Sequence, residues 1–190
     1  MQFFPSMQIM KQLDKLEFNE VRVMDIRTAT SSDLEKIAEL YVKNHTETYR
    51  DLLSDDYFES LTLDYAKEKW RTYFYSAGKK IWVVYSEDEF LGFTAGMKDE
   101  SLADAWYLDS LHITEKARGK GIGTALIKTM MKYAVENGYS KMSVCIVKGN
   151  DTAGNLYKKL GANHLLDFED DFCGTVSHSE KLLWDMLSEN

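Results

Sequence analysis

The chain has 190 residues, enough for one sizeable domain. Apolar residues make up 44% and charged residues 28%, with one proline, so neither a disordered chain nor a proline-rich scaffold fits. Thirty-one acidic residues against 23 lysines and arginines leave a net charge of −8, which argues against a broad nucleic-acid-binding surface.

Two cysteines, Cys145 and Cys173, with no CxxC pair and no Cys/His cluster, exclude the common zinc patterns and a disulfide scaffold. No metal is expected, and the cysteine usage points to a reducing cytoplasm. No run of residues is apolar enough to span a membrane. Residues 1–20 lack a basic start and a long apolar run, so they read as an N-terminal extension rather than a signal peptide. Residues 21–190 are then a single domain.

Taken in chain order, Val21 to Thr28 alternates as a first strand. Ser32-x-x-Glu35 is a capping box that opens a helix with Leu34, Ile37, Leu40 and Tyr41 on its apolar face. A polar stretch from Asn44 to Asp56 follows, then a helix from Tyr57 to Tyr75, ended by Ser76-Ala77-Gly78. Ile81–Tyr85 and Phe90–Met97 form a hairpin around Glu87-Asp88-Glu89, and Ala105–Ile113 is a long third strand beside them. A glycine-rich turn leads into a helix carrying Ile122, Leu126, Met130, Tyr133 and Ala134, closed by Asn137-Gly138. Met142–Val147 is a buried strand. Asn150 caps a short helix with Ala153, Leu156, Tyr157 and Leu160 on one face and Gly161 beyond its end. Two last strands lie near Ala162–Phe168 and Ser179–Leu187. The order predicts one α+β domain with a mixed sheet.

The turn Arg118-Gly119-Lys120-Gly121-Ile122-Gly123 carries the most information. Glycines allow positive φ and close approach of the backbone to a ligand. A helix start adds unpaired N–H groups and a partial positive charge, and two basic side chains flank it. Together these suit a phosphate. The spacing is neither that of a P-loop nor that of a dinucleotide fingerprint, so a nucleotide enzyme of either kind is disfavoured.

Arg118-x-x-Gly121-x-Gly123, with Leu111-His112-Ile113 just upstream and Asn150-x-x-Ala153-x-x-x-Tyr157-x-x-x-Gly161 downstream, resembles the GNAT N-acetyltransferase superfamily over about residues 21–187. The resemblance implies an α/β GNAT-like fold: a mixed, mostly antiparallel sheet of about seven strands, helices on both faces, and a splayed cleft for acetyl-CoA. It implies that the turn, including Lys120, Ile122 and Thr124, receives the pyrophosphate. The backbone of Leu111, His112 and Ile113 would hold the pantetheine arm, with an N–H near Leu111 as oxyanion donor. Asn150 would cap its helix and contact the cofactor. The activity implied is direct attack of a primary amine on acetyl-CoA in a ternary complex, with Tyr157 as general acid. The alternative is an acyl-CoA-binding sensor without turnover.

Many members of that family carry a glutamate on the fourth strand where this chain has Tyr107. Asp109 is therefore the candidate base, acting through water, and strict alternation places it on the strand face of Tyr107 and opposite His112. His45 and Glu47 fall in the region of the acceptor pocket, and Tyr49, Tyr57, Tyr75 and Trp106 are candidate pocket aromatics. The acidic stretches Asp51–Asp64 and Asp167–Asp171 would attract a cationic small molecule or basic peptide. The resemblance also implies a homodimer as a candidate assembly, since late strands in that family often pair across subunits.

Overall fold

The computed structural model describes residues 24–172 and 175–185. Among these residues, seven strands form one sheet in the order β1-β2-β3-β4-β5-β7-β6. The strands are β1 (Met24–Thr28), β2 (Lys79–Ser86), β3 (Glu89–Lys98), β4 (Ala105–Ile113), β5 (Lys141–Val147), β6 (Asn163–Phe172) and β7 (Thr175–Trp184). The helices are α1 (Leu34–Tyr49), α2 (Asp55–Ser60), α3 (Leu63–Tyr75), α4 (Ile122–Glu136) and α5 (Asp151–Lys159). Every neighbouring pair of strands is antiparallel except β4 and β5.

Each face of the sheet carries its own core. On one face α1 and α3 bury Ile37, Tyr41, Trp70 and Tyr73 against Val83, Phe93 and Ala95. On the other, α4 sets Leu126, Ile127 and Met130 against Trp106, Leu108, Met142 and Leu182, and α5 adds Tyr157. Gly96 permits this second packing, because a Cβ there would lie 2.8 Å from the Tyr107 carbonyl oxygen and collide with the Trp106 indole.

Several boundaries depart from the sequence reading, each for a tertiary reason. Residues 21–23 of the expected first strand lie outside the described residues, as do Cys173 and Leu187. The capping box is Thr30 with Asp33, around a 3-10 turn (Ser31–Asp33) that leads into α1, not Ser32 with Glu35. Asp33 Oδ2 accepts from the Thr30 amide at 2.7 Å and its hydroxyl at 2.9 Å. Arg27 and the Tyr85 hydroxyl also bind Asp33, which anchors the cap to the sheet.

The polar stretch from Asn44 does not begin a loop. α1 continues to Tyr49, because buried Asn44 donates to the Ile113 carbonyl at 3.1 Å. The expected long second helix is two helices. Ser54 and Thr62 each accept a backbone N–H three residues on, and Leu61 between them leaves helical geometry. Finally, β7 begins at Thr175 rather than Ser179 and pairs with β6 along a long hairpin.

Candidate functional site

β4 and β5 run parallel and pair over only four rungs, from Ala105–Lys141 to Leu108–Val144. Beyond these they part. β5 stays paired with β7 from Met142 to Val147, while β4 stays on β3. The opening between the strand ends leads into a cavity of about 530 Å³. Its walls come from β4 (Asp109 to His112), β5 (Cys145 to Val147), α5 (Tyr157) and α1 (His45 and Tyr49).

The glycine turn lies at one end of the opening. A short 3-10 turn, Glu115–Ala117, brings the chain to Arg118. Gly119 and Gly121 then take φ of +75° and +80°, a region that side-chain-bearing residues avoid. Gly121 is the N-cap of α4, and the first turn of that helix holds no acidic residue. The amides of Ile122, Gly123 and Thr124 therefore stand at a helix start with no carboxylate to claim them. A Cβ on Gly123 would press on Leu156 of α5 at 3.3 Å, so the glycine also sets how closely α4 and α5 approach.

Lys120 is exposed. The Arg118 guanidinium reaches back to α1, donating to Asn44 Oδ1 at 3.0 Å and to Glu47 Oε2 at 3.1 Å, and its Nε lies 3.4 Å from the Ile113 carbonyl. The turn and the cavity wall are thus tied together by one helix. Glu47 is engaged by Arg118, whereas His45 lines the cavity.

Tyr157 lies on the cavity wall, 5% exposed, with its ring edge-to-face on Trp184. Burial, reinforced by Tyr49, pushes its hydroxyl well above the usual tyrosine range, so it keeps its proton. Asn150 caps α5 by accepting from the Ala153 amide at 3.3 Å. Its amide group donates to the Tyr49 hydroxyl, also at 3.3 Å.

The face of β4 differs from strict alternation. Ala95 is opposite Ser110 and Gly96 is opposite Leu108, so Asp109 is the extra residue of a β-bulge. The bulge resets the side-chain phase. Trp106 and Leu108 before it, and Leu111 and Ile113 after it, all pack towards α4. His112 consequently faces the same side as Asp109, not the opposite one. Its ring stacks on Phe93 and meets Tyr41 edge-on. Leu111 and Ile113 pack their side chains against the core, and buried His112 lies on the cavity wall.

Asp109 is half-buried and accepts from the Ser110 hydroxyl at 3.1 Å. Burial raises its carboxyl above the usual range, while Lys69 and Lys79 pull it back. His45 donates to or accepts from the Tyr57 hydroxyl at 2.8 Å, and burial followed by the charge of Lys69 depresses its ring to about 3. Burial depresses His112 as well, with His45 adding to the effect. Burial thus disfavours the charged form of both rings.

Tyr49 and Tyr57 line the cavity as expected, but Tyr75 is 69% exposed and Trp106 belongs to the core against α4. Of the acidic stretches, Asp170 and Asp171 reach the cavity, whereas the acids of Asp51–Asp64 do not line it. Asn44 and Lys69 were missed. Asn44 had a signal in the sequence, a polar residue at the next step of the apolar stripe Ile37, Leu40, Tyr41. Lys69 had none, because only the packing of α3 on α1 and β2 brings it to the cavity that Asp109 lines.

A family model described as the acetyltransferase (GNAT) family matches residues 35–162. Mouse (Mus musculus) thialysine N-epsilon-acetyltransferase is 38% identical over 63 residues, which are 33% of this chain and 37% of that protein. The chain spans between 37% and 39% of the length of the first such curated relatives. The solved ribosomal-protein-alanine N-acetyltransferase of Brucella melitensis has 20% identity and a TM-score of 0.69, covering 85% of this chain and 99% of that one. The spermidine N-acetyltransferase of Vibrio cholerae, solved with CoA and spermine, has 15% identity and a TM-score of 0.66, covering 86% and 95%. At such identities the solved structures speak for the fold, while the family model speaks for the sequence. This chain belongs to the acetyltransferase (GNAT) family.

Proposed function

We propose that the protein transfers an acetyl group from acetyl-CoA to a primary amine by direct attack. The observation that carries this reading is the parting of β4 from β5 after Leu108 and Val144, with the α4 start at one end and Tyr157 on the wall. A solved relative in fold holds CoA, and a relative in sequence is named thialysine N-epsilon-acetyltransferase.

In this reading the amides of Gly119 to Thr124 and the side chains of Arg118 and Lys120 hold the pyrophosphate. The unpaired edge of β4 beyond Leu108, at Leu111 to Ile113, holds the pantetheine arm as an added strand would be held. A backbone N–H near Leu111 receives the developing oxyanion. Asn150 keeps α5 and Tyr157 in register with α1.

The acceptor enters from the Asp170 and Asp171 side as a cation and gives up one proton, through water, to Asp109. Its nitrogen then bonds to the thioester carbonyl carbon and the carbon–sulfur bond breaks. The Tyr157 hydroxyl supplies the proton for the leaving sulfur and is recharged by the second amine proton, so amide and free thiol are the products. Holding both partners in one cleft supplies much of the acceleration.

Residues 21–190 would form this acetyltransferase unit and residues 1–20 an extension of it. The proposed compartment is the reducing cytoplasm. Release of coenzyme A thiol from acetyl-CoA, across pools of amino acids, polyamines, aminoglycosides and basic peptides, tests the reading. Release with one pool is expected. Silence in every pool with acetyl-CoA still bound would favour the sensor alternative.

A further inference from the structure

A second cavity, of about 440 Å³, opens beyond Asp109. It shares Tyr65, Lys69 and Asp109 with the large one, so Asp109 is a partition between two spaces and not an end wall.

The groups around this second space are mostly donors. Lys69 and Lys79 both line it and are half-buried. Among the described residues neither is paired with a carboxylate. Lys69 uses one N–H on the Tyr41 hydroxyl at 2.8 Å, and Lys79 lies over the Tyr73 ring at 4.5 Å. Tyr73, in the same wall, buries its hydroxyl without a hydrogen-bond partner. Glu68 also lines the space, but its carboxylate is engaged by Arg71 through two hydrogen bonds of 3.0 Å and by the Thr72 hydroxyl at 3.2 Å. Asp109 is then the one carboxylate left to two ammonium groups and an orphaned hydroxyl. A buried donor without an acceptor is costly, and charge-assisted hydrogen bonds are the strong ones. An ammonium group entering here would meet two like charges. A carboxylate would supply the missing acceptors.

Resting on the acetyl-transfer reading, we propose that this second cavity is an anion subsite for the acceptor, which is an amine that also carries a carboxylate. The amine lies on the large-cavity side of Asp109, near Asp170 and Asp171, and the carboxylate lies between Lys69 and Lys79. A carboxylate seated there also offsets the pull of the two lysines on Asp109. The proton acceptor is therefore strengthened when the right substrate is in place.

The test measures acetyl transfer to free lysine and to cadaverine, which differ by the carboxylate, and to a peptide ending in lysine as free acid and as amide. The wild-type protein is expected to favour each carboxylate acceptor by about 10-fold in kcat/KM, the worth of one charge-assisted contact. Lys79→Gln and Lys69→Gln should each collapse that ratio, and Lys79→Arg should keep it, which separates lost charge from a fold lost to substitution. Turnover of free lysine alone identifies an amino acid, and turnover of the peptide acid but not its amide identifies a peptide end. A ratio near one, or a preference for cadaverine, overturns the subsite while acetyl transfer stands. If no acceptor reacts although coenzyme A binds, the transfer reading fails. Calorimetric titration of lysine then decides the subsite: binding weakened about 10-fold by Lys79→Gln supports it, and no carboxylate-dependent binding overturns it.

Discussion

Two aspartates flank the paired half of β4 and live in opposite environments. Asp99, just before the strand, is clamped. Lys181 reaches its carboxylate at 2.6 Å, the Ser101 amide and hydroxyl donate at 2.8 and 2.7 Å, and the Ser143 hydroxyl donates as well. Burial alone would raise this carboxyl, yet these partners outweigh it and hold it at about 2. Asp109, just past the paired half, has one serine hydroxyl and no ion pair among the described residues, and its carboxyl is raised. Where the strands pair, the local charge is satisfied and serves stability. Where they part, the charge is left under-satisfied and is available to a ligand. A structural carboxylate in the β3–β4 loop and the carboxylate proposed for chemistry in β4 thus lie at opposite ends of the four rungs of parallel pairing.

That contrast can be broken from either side. The largest effect is expected on the open side, from Tyr157→Phe. Removing the proton donor should lower kcat about 1000-fold, with acetyl-CoA binding retained, as read by steady-state thiol release and calorimetry. An unchanged kcat would leave Tyr157 a packing residue against Trp184.

On the closed side, Asp99→Ala strands Lys181 in a site where its side chain is 10% exposed. A loss of about 3 kcal/mol in unfolding free energy is expected in denaturant titration. The wild-type pair also has a pH signature. The folded Asp99 pKa lies below its unfolded value, so the stabilisation is complete above about pH 4 and is lost as pH falls towards 2. The total involved is about 2 kcal/mol.

Asp109→Asn should behave in the reverse sense. Activity should fall about 100-fold. The acid limb of the wild-type pH profile, set by the ionised carboxylate, should lie above the ordinary aspartate value of about 3.9. Because the folded pKa is raised, the native state holds its proton more tightly than the unfolded chain. Stability therefore declines as pH rises through that window, and the asparagine variant should melt no lower than wild type at pH 7. A large drop in Tm would place Asp109 with Asp99 as a structural residue.

The smallest effect is expected at Gly121. Alanine there meets no neighbouring atom within 4 Å but must take φ of +80°. A strain of about 1 kcal/mol follows, visible as a roughly 5-fold weaker acetyl-CoA affinity if the N–H groups of the turn carry the pyrophosphate.

Much of this arrangement was legible in the sequence. The order of strands and helices, apart from the split second helix, the glycine turn before α4, the Asn150 cap and the Tyr157 face each rest on local spacing, and each recurs in the structure. The errors fall where a side chain answers to a distant partner. The α1 cap moved to Asp33 because Arg27 and Tyr85 also hold it, and α1 outran its polar tail because Asn44 bonds to β4. The orientation of His112 was misread because a bulge depends on the register of β3 against β4, and no run of residues within β4 records that register.

The sequence by itself determined the family motif, most of the element order and which residues are proposed to meet a phosphate and protonate a thiolate. These depend on backbone freedom, helix caps and periodicity, all of which are properties of short segments. Only the tertiary structure decided where β4 and β5 part, which way Asp109 and His112 face, and that Lys69 and Lys79 stand behind Asp109. Those depend on pairing register and on helices packed across the sheet, so they are set by contacts between residues far apart in the chain.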